Sequence, residues 1–308
     1  MQLIWDTKCW IVTLVGIGCI QAFAGPFAQG PYLGQTPSGS TAQVFASGLI
    51  CRTGAHQWES HGSFSADGNT FCYARNGGIF ITENTDPGWT VPRHVESVPD
   101  MSFSACVSPD ANSIYFMYSY GPPKPYHPFR CRRTADGWSS PQELEPLVCH
   151  PGASYGGFSF AADNSIYIFV TWPKAGRRER GRERGTFLAP YVDRTWTRAI
   201  KLSVDGGAPG IAPDASFMVF NANNAMRGEG LGATDLYLTL RQPNGSWSEA
   251  RNLGPKVNSR YFEFGARISP DKKYLFFTHA NGWGENRSRD TADIYWVELK
   301  EYLPESYR

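Results

Sequence analysis

The chain has 308 residues, 41% of them hydrophobic and 14% aromatic, with a formal net charge of +1. That is apolar material for a sizeable core, with room for one large domain or two small ones. The near-zero charge supplies no broad basic field, which excludes phosphate-backbone capture and with it a nucleic-acid partner.

The N-terminus reads as a separate element. Residues 9–24 are apolar, with Trp10, Ile11, Val12, Leu14, Val15, Ile17 and Ile20, and end in Ala22-Phe23-Ala24 before Gly25. That ending is a small-residue cleavage signal. Sixteen residues are also fewer than the ~20 a spanning helix needs. A signal peptide over 1–24 and an extension over 25–39 are therefore expected, with a periplasmic or secreted product. The alternatives are an uncleaved anchor and a lipoprotein signal at Cys19, although Gly16 stands where that signal wants a large aliphatic residue. No transmembrane segment is expected after cleavage. Five cysteines then remain, an odd number. Cys72 and Cys106 lie in apolar phrases and read as small buried hydrophobes. The pairing of Cys51 and Cys149 is open.

Residues 40–300 carry one phrase five times. It places a turn aspartate at Asp67, Asp110, Asp163, Asp214 and Asp271, each followed by an apolar strand. A phrase recurring at 43 to 57 residues marks a repeat architecture. The fourth unit resolves into four strands: residues 208–212, the turn Pro213-Asp214-Ala215, residues 217–221, residues 235–241, the Asn244-Gly245 hairpin, and residues 247–253. The fifth unit stops after its third strand. Segment 40–48 matches 247–254 and supplies the missing edge. The expected fold is all-β, a five-bladed β-propeller with four antiparallel strands per blade, the last blade completed by the N-terminal strand. Residues 301–308 form a tail.

The Ser/Ala-Pro-Asp phrase, the third strands Asp235-Leu236-Tyr237 and Asp293-Ile294-Tyr295, and Gly245-Ser246-Trp247-Ser248 carry a resemblance. They resemble the WD-like propeller repeat of the TolB-type family of exported bacterial proteins. Units one and three depart from it, with Ala66 and Ala162 in place of proline. The resemblance implies a propeller. Such repeats serve both as binding scaffolds and as enzymes.

The turn aspartates read as structural, because an Asp in a tight turn bonds its own backbone. A sialidase-type Asp box fails on order at Ser65-Ala66-Asp67-Gly68. The loops between second and third strands, 119–128, 172–185, 221–234 and 278–292, are long and share one face, here the upper face. Eight residues before each turn Asp stand Glu59, Ser102, Tyr155, Gly206 and Glu263, at the channel mouth. His61, Asp100, Asp205 and Tyr261 lie near them, as does His56. Glu59 and Glu263 are candidate catalytic carboxylates, needing ~5–5.5 Å separation for retaining or ~6.5–9.5 Å for inverting glycoside hydrolysis. With Asp100 and Asp205 they could instead hold a divalent cation such as Ca²⁺, or simply bond backbone amides. His279, Asn281, Asn221, Asn223 and Asn224 suit sugar hydroxyls but are also ordinary loop residues. Tyr118, Tyr120, Tyr126, Trp172 and Trp283 can stack on sugars or pin the loops. The run 177–184 has five Arg and two Glu, a local +3, and reads as an anion grip or a solvated loop.

The ligand-binding set is thus Glu59, His61, Asp100, Tyr155, Asp205, Glu263, His279 and Asn281, with no dedicated metal motif. The expected function is a monomeric, non-enzymatic envelope module binding a protein or saccharide on the upper face. The alternative is a carbohydrate-active hydrolase or lyase.

Overall fold

A computed structural model describes residues 27–52, 57–121, 124–145, 147–148, 150–173, 182–223, 230–282 and 291–308. The apolar run 9–24, His56, Cys149, Asn224, Trp283 and residues 177–181 of the charged run lie outside the described residues.

Five small antiparallel sheets form the five blades of a β-propeller. The first blade is β2 (Glu59–Phe64), β3 (Thr70–Arg75) and β4 (Gly78–Thr85), extended by β5 (Gly88–Trp89) and β6 (Arg93–His94). The second is β7 (Phe103–Val107), β8 (Ser113–Tyr118) and β9 (His127–Thr134), with β10 (Gly137–Trp138) and β11 (Gln142–Glu143). The third is β12 (Ser154–Phe160), β13 (Ile166–Pro173), β14 (Arg182–Ala189) and β17 (Ile200–Lys201), with a side hairpin of β15 (Tyr191–Val192) and β16 (Thr195–Trp196). The fourth is β18 (Gly207–Ile211), β19 (Phe217–Ala222), β20 (Asp235–Leu240) and β21 (Arg251–Asn252). The fifth is β22 (Phe262–Ile268), β23 (Tyr274–Ala280) and β24 (Ala292–Glu298), and its outer strand is β1 (Gln43–Val44).

The ring therefore closes through the N-terminal strand. Gln43 pairs with Trp296 and Val44 with Tyr295, and Phe45 N–H donates to Ile294 O at 2.8 Å. Before this latch, Leu33 is buried and Trp89 Nε1 donates to Gly30 O at 2.8 Å. After the last blade, Tyr302 and Leu303 are buried against the fourth and fifth blades.

The core lies between blades, where sheet faces pack on each other. Inner and middle strands are buried along most of their length, while the outer strands β11 and β17 are exposed and β5 is buried. The outer strand differs from the continuous 247–253 read from sequence. It pairs once near the tryptophan, leaves the ladder, and pairs again two residues at a time. The residue after Trp explains this. Thr90, Ser139 and Ser248 accept the third strand's amide through a side-chain hydroxyl, from Glu83, Arg132 and Leu240 at 3.0–3.1 Å. The backbone N–H of the same three residues donates back to Glu83, Arg132 and Leu240 O at 2.8–2.9 Å, so the hydroxyl takes the place of a ladder carbonyl. Unit three also differs: the segment read as a loop over 172–185 is partly strand, with Trp172 opposite Glu183.

The turn aspartates do what short polar turn residues do. Asp67, Asp110, Asp163, Asp214 and Asp271 each accept an amide two residues on, at 2.9–3.1 Å.

Every inner strand also carries a bulge, at Ser60/Ser63, Phe103/Cys106, Tyr155/Phe158, Gly207/Gly210 and Phe264/Arg267. In four blades the bulge holds a left-handed residue: His61 (φ 56°), Ser104 (57°), Ala208 (38°) and Gly265 (67°). A bulge re-aims the next side chain, here toward the ring axis.

Candidate functional site

The upper edge of the seam between the fifth and first blades gathers most of the chemistry. A parallel bridge between Trp58 and Ala292 brings the start of β2 against the start of β24. Glu59 is fully buried there. Arg75, opposite it in the ladder, donates from Nε to Glu59 Oε1 at 2.9 Å and from Nη2 to Ile50 O at 2.7 Å. The guanidinium also lies over the Tyr73 and Phe80 rings. Glu59 Oε2 has no partner. Burial raises the Glu59 pKa; Arg75 opposes this, and the nearby Asp293 adds to it. Burial raises the Asp293 pKa too, against the pull of His279 and Cys51.

Glu263 occupies the matching place in the fifth blade and is also fully buried. It accepts Ser259 Oγ at 2.6 Å, Ser259 N–H at 3.2 Å and faces His279 Nδ1 at 3.0 Å. The carboxylate sits between serine and histidine. That is not a nucleophile triad, in which the imidazole must stand between the other two. The arrangement instead orients the His279 ring, which also meets Tyr261 and Tyr295 at 5.7 and 4.9 Å between centroids. Asn281 closes the base of the following loop, its Oδ1 accepting Thr291 N–H at 2.8 Å.

The remaining predicted residues are spread around the ring. Asp100 is exposed before β7. Asp205 pairs at the surface with Arg184 at 3.2 Å. Tyr155 is buried and bonds both Val148 N–H and Val148 O through its hydroxyl. His61 is buried in the channel, where burial first, and then Arg267, bring its pKa down to about 3. Glu59 and Glu263 thus each have their own partners, and no hydrogen bond joins them. Among the described residues, no group of three or more His, Cys, Asp or Glu side chains is placed to hold a metal ion.

Sequence reading missed Arg75, Ser259 and Asp235 as organisers. Asp235 is buried and accepts Leu231 N–H, Gly232 N–H and Asn252 Nδ2 at 2.7–3.0 Å. Its position before Leu-Tyr was the available signal. In the fifth blade Cys51 Sγ takes the Ile294 amide as Asn258 Oδ1 takes that of Leu236. Cys51, Cys72, Cys106 and Cys131 are free and buried.

Beyond these locked groups the upper face carries exposed apolar side chains: Met101, Tyr120, Tyr126 and Leu231. Tyr126 packs edge-on against Phe103, and Tyr120 bonds Glu143 and stacks near Lys124. Trp172 is buried, parallel to His150 at 4.3 Å. Among the described residues no helix is long and apolar enough to cross a membrane.

No protein-family model matches the chain, and no curated protein matches it. Solved structures it is similar to include a TolB described as putative, from Agrobacterium tumefaciens, at 12% identity and TM-score 0.47, over 74% of this chain and 72% of that one. TolB from Acinetobacter baumannii aligns at 8% identity and TM-score 0.45, over 79% of this chain and 54% of that one. A periplasmic gluconolactonase from Pseudomonas aeruginosa aligns at 11% identity and TM-score 0.38, over 76% and 70%.

Proposed function

We propose that this propeller is a non-enzymatic binding module of the cell envelope, exported and monomeric, that holds a saccharide or a protein segment on its upper face. One observation carries the reading. The two candidate acids are fully buried and internally bonded, while Met101, Tyr120, Tyr126 and Leu231 are exposed on that face. Rings held on a rigid scaffold suit stacking on sugars or apolar side chains, and little ordering entropy opposes binding.

A glycan array with wild-type protein and the Tyr120→Ala/Tyr126→Ala variant tests it. Binding is expected in the wild type and lost in the variant, with the urea midpoint unchanged. A hydrolase or lyase is the second reading, favoured by the raised pKa values of neighbouring Glu59 and Asp293. Polysaccharide turnover abolished by Glu59→Gln or Glu263→Gln would replace the binding reading with it.

A further inference from the structure

The inner strands place one residue from each blade around the axis, four positions before the turn aspartate: Ser63, Cys106, Ser159, Gly210 and Arg267. Four are small. The fifth is a guanidinium that is 4% exposed. Arg267 Nη1 donates to Ala266 O at 2.8 Å and Nη2 to Ser104 Oγ at 3.4 Å, but Nε has no partner. No ion pair among the described residues includes Arg267. Its other ionisable neighbours are neutral or thiol: His61 stays unprotonated, Cys106 is a free cysteine within hydrogen-bond reach of the guanidinium, and Cys72 is a second free cysteine nearby.

An arginine keeps its proton even when buried. A buried charge without a counter-charge is strongly unfavourable, and water can satisfy an N–H without neutralising the charge. Arg267 lines a cavity of about 180 Å³, with contributions from all five blades, that reaches the turn face through Ala66 and Ala162. This site lies away from the upper face. One position along each strand, the same cavity is walled by Phe64, Val107, Phe160, Ile211 and Ile268. Ser63 and Ser159 line the same cavity; Ser63 Oγ lies 3.5 Å from Cys106 Sγ, and Ser159 Oγ accepts the Ile211 N–H at 2.9 Å and keeps its own proton to donate. Cationic floor, hydroxyl collar and apolar walls form an amphipathic socket. Its volume equals that of about six waters at ~30 Å³ each.

We propose that the channel binds a small aliphatic carboxylate, its charged end on Arg267 and its carbon chain among the apolar walls. The guanidinium's planar fork matches a carboxylate, and the walls favour it over an inorganic ion.

The test is thermal unfolding with sodium butyrate against sodium chloride at equal ionic strength, with calorimetric titration of butyrate for Kd. In the wild type, butyrate at a hundredfold excess over Kd is expected to raise the midpoint by about 4 °C or more above the chloride value. The rise is expected to vanish in R267Q. Should R267Q not fold, A162W serves: Ala162 is exposed at the mouth, and the indole plugs the socket without touching the arginine. An equal midpoint in chloride and butyrate, or a butyrate rise that survives either substitution, overturns the proposal.

Discussion

Arg75 stands directly across the β2–β3 ladder from Glu59, and its Nε reaches Glu59 Oε1 at 2.9 Å inside a seam where both are buried. A buried pair of this kind is held by its own geometry more than by net gain. Removing one partner strands the other. Arg75→Met is expected to destabilise by about 3–5 kcal/mol, because an uncompensated carboxylate stays behind. Glu59→Gln in the same background is expected to recover part of that loss. Urea unfolding of the two single variants and the double variant reads the coupling; additive losses would contradict it.

How much of this was legible beforehand depends on the interaction's reach. The turn aspartates were readable because each bonds a residue two positions away. The latch was readable because the fifth unit lacked an edge that segment 40–48 could supply. Its register was less so: Val44 sits opposite Tyr295 as Asn252 sits opposite Tyr237, one residue off an alignment begun at Ser40. The site was hardest. Counting back from the turns located Glu59 and Glu263 correctly on their strands, but partners such as Arg75 and Ser259 follow from cross-strand register and loop path. Arg267 looked like any strand residue until the bulge turned it to the axis.

His61 gives the stability a pH signature. Its folded pKa of about 3 lies below the ordinary histidine value of 6.5, burial being the main cause. The unfolded chain therefore takes up the proton first as pH falls. Its contribution is complete above pH ~6.5 and drains away toward pH ~3, at up to about 1.4 kcal/mol per unit. The turn carboxylates Asp67, Asp110, Asp214 and Asp271 add to this only below the ordinary carboxylate range. In each, hydrogen bonds outweigh the effect of burial and lower the pKa. Glu59 and Asp293, with raised values, act in the opposite sense. His61→Asn, which tolerates the left-handed backbone at φ 56°, is expected to flatten the decline between pH 6.5 and 4.5. Urea midpoints across that range decide it, and an unchanged slope would refute the assignment.

Asp235 organises the upper loop of the fourth blade. It accepts two successive amides and Asn252 Nδ2, and a Cβ on Gly232 would lie 2.3 Å from Ser259 O. Leu231 and Gly232, where the loop returns to β20, are thus closely held. Asp235→Ala leaves those donors unmet and is expected to cost about 2–3 kcal/mol. Hydrogen exchange gives the local readout. The Leu231 and Gly232 amides should exchange much faster, whereas amides of β8 should follow only the global change. Uniform acceleration would mean that Asp235 supports the whole ring instead.

Phe45 tests the latch itself. It is fully buried one residue beyond β1, with ring centroids 5.0 to 5.4 Å from Phe276, Trp296 and Phe71. It therefore ties the N-terminal strand to the fifth blade and, through Phe71, to the first. Phe45→Ala removes a core ring where strand pairing is only two residues long. A loss of about 3–5 kcal/mol is expected, the usual cost of a large-to-small core change. The kind of transition matters as much as its midpoint. If the ring unfolds as one unit, the variant should keep a single urea transition with the wild-type slope, shifted to lower urea. Should an early partial transition appear, the N-terminal strand would be peeling away alone. The remaining blades would then be stable as an open arc, and ring closure would not be what sets the stability of this fold.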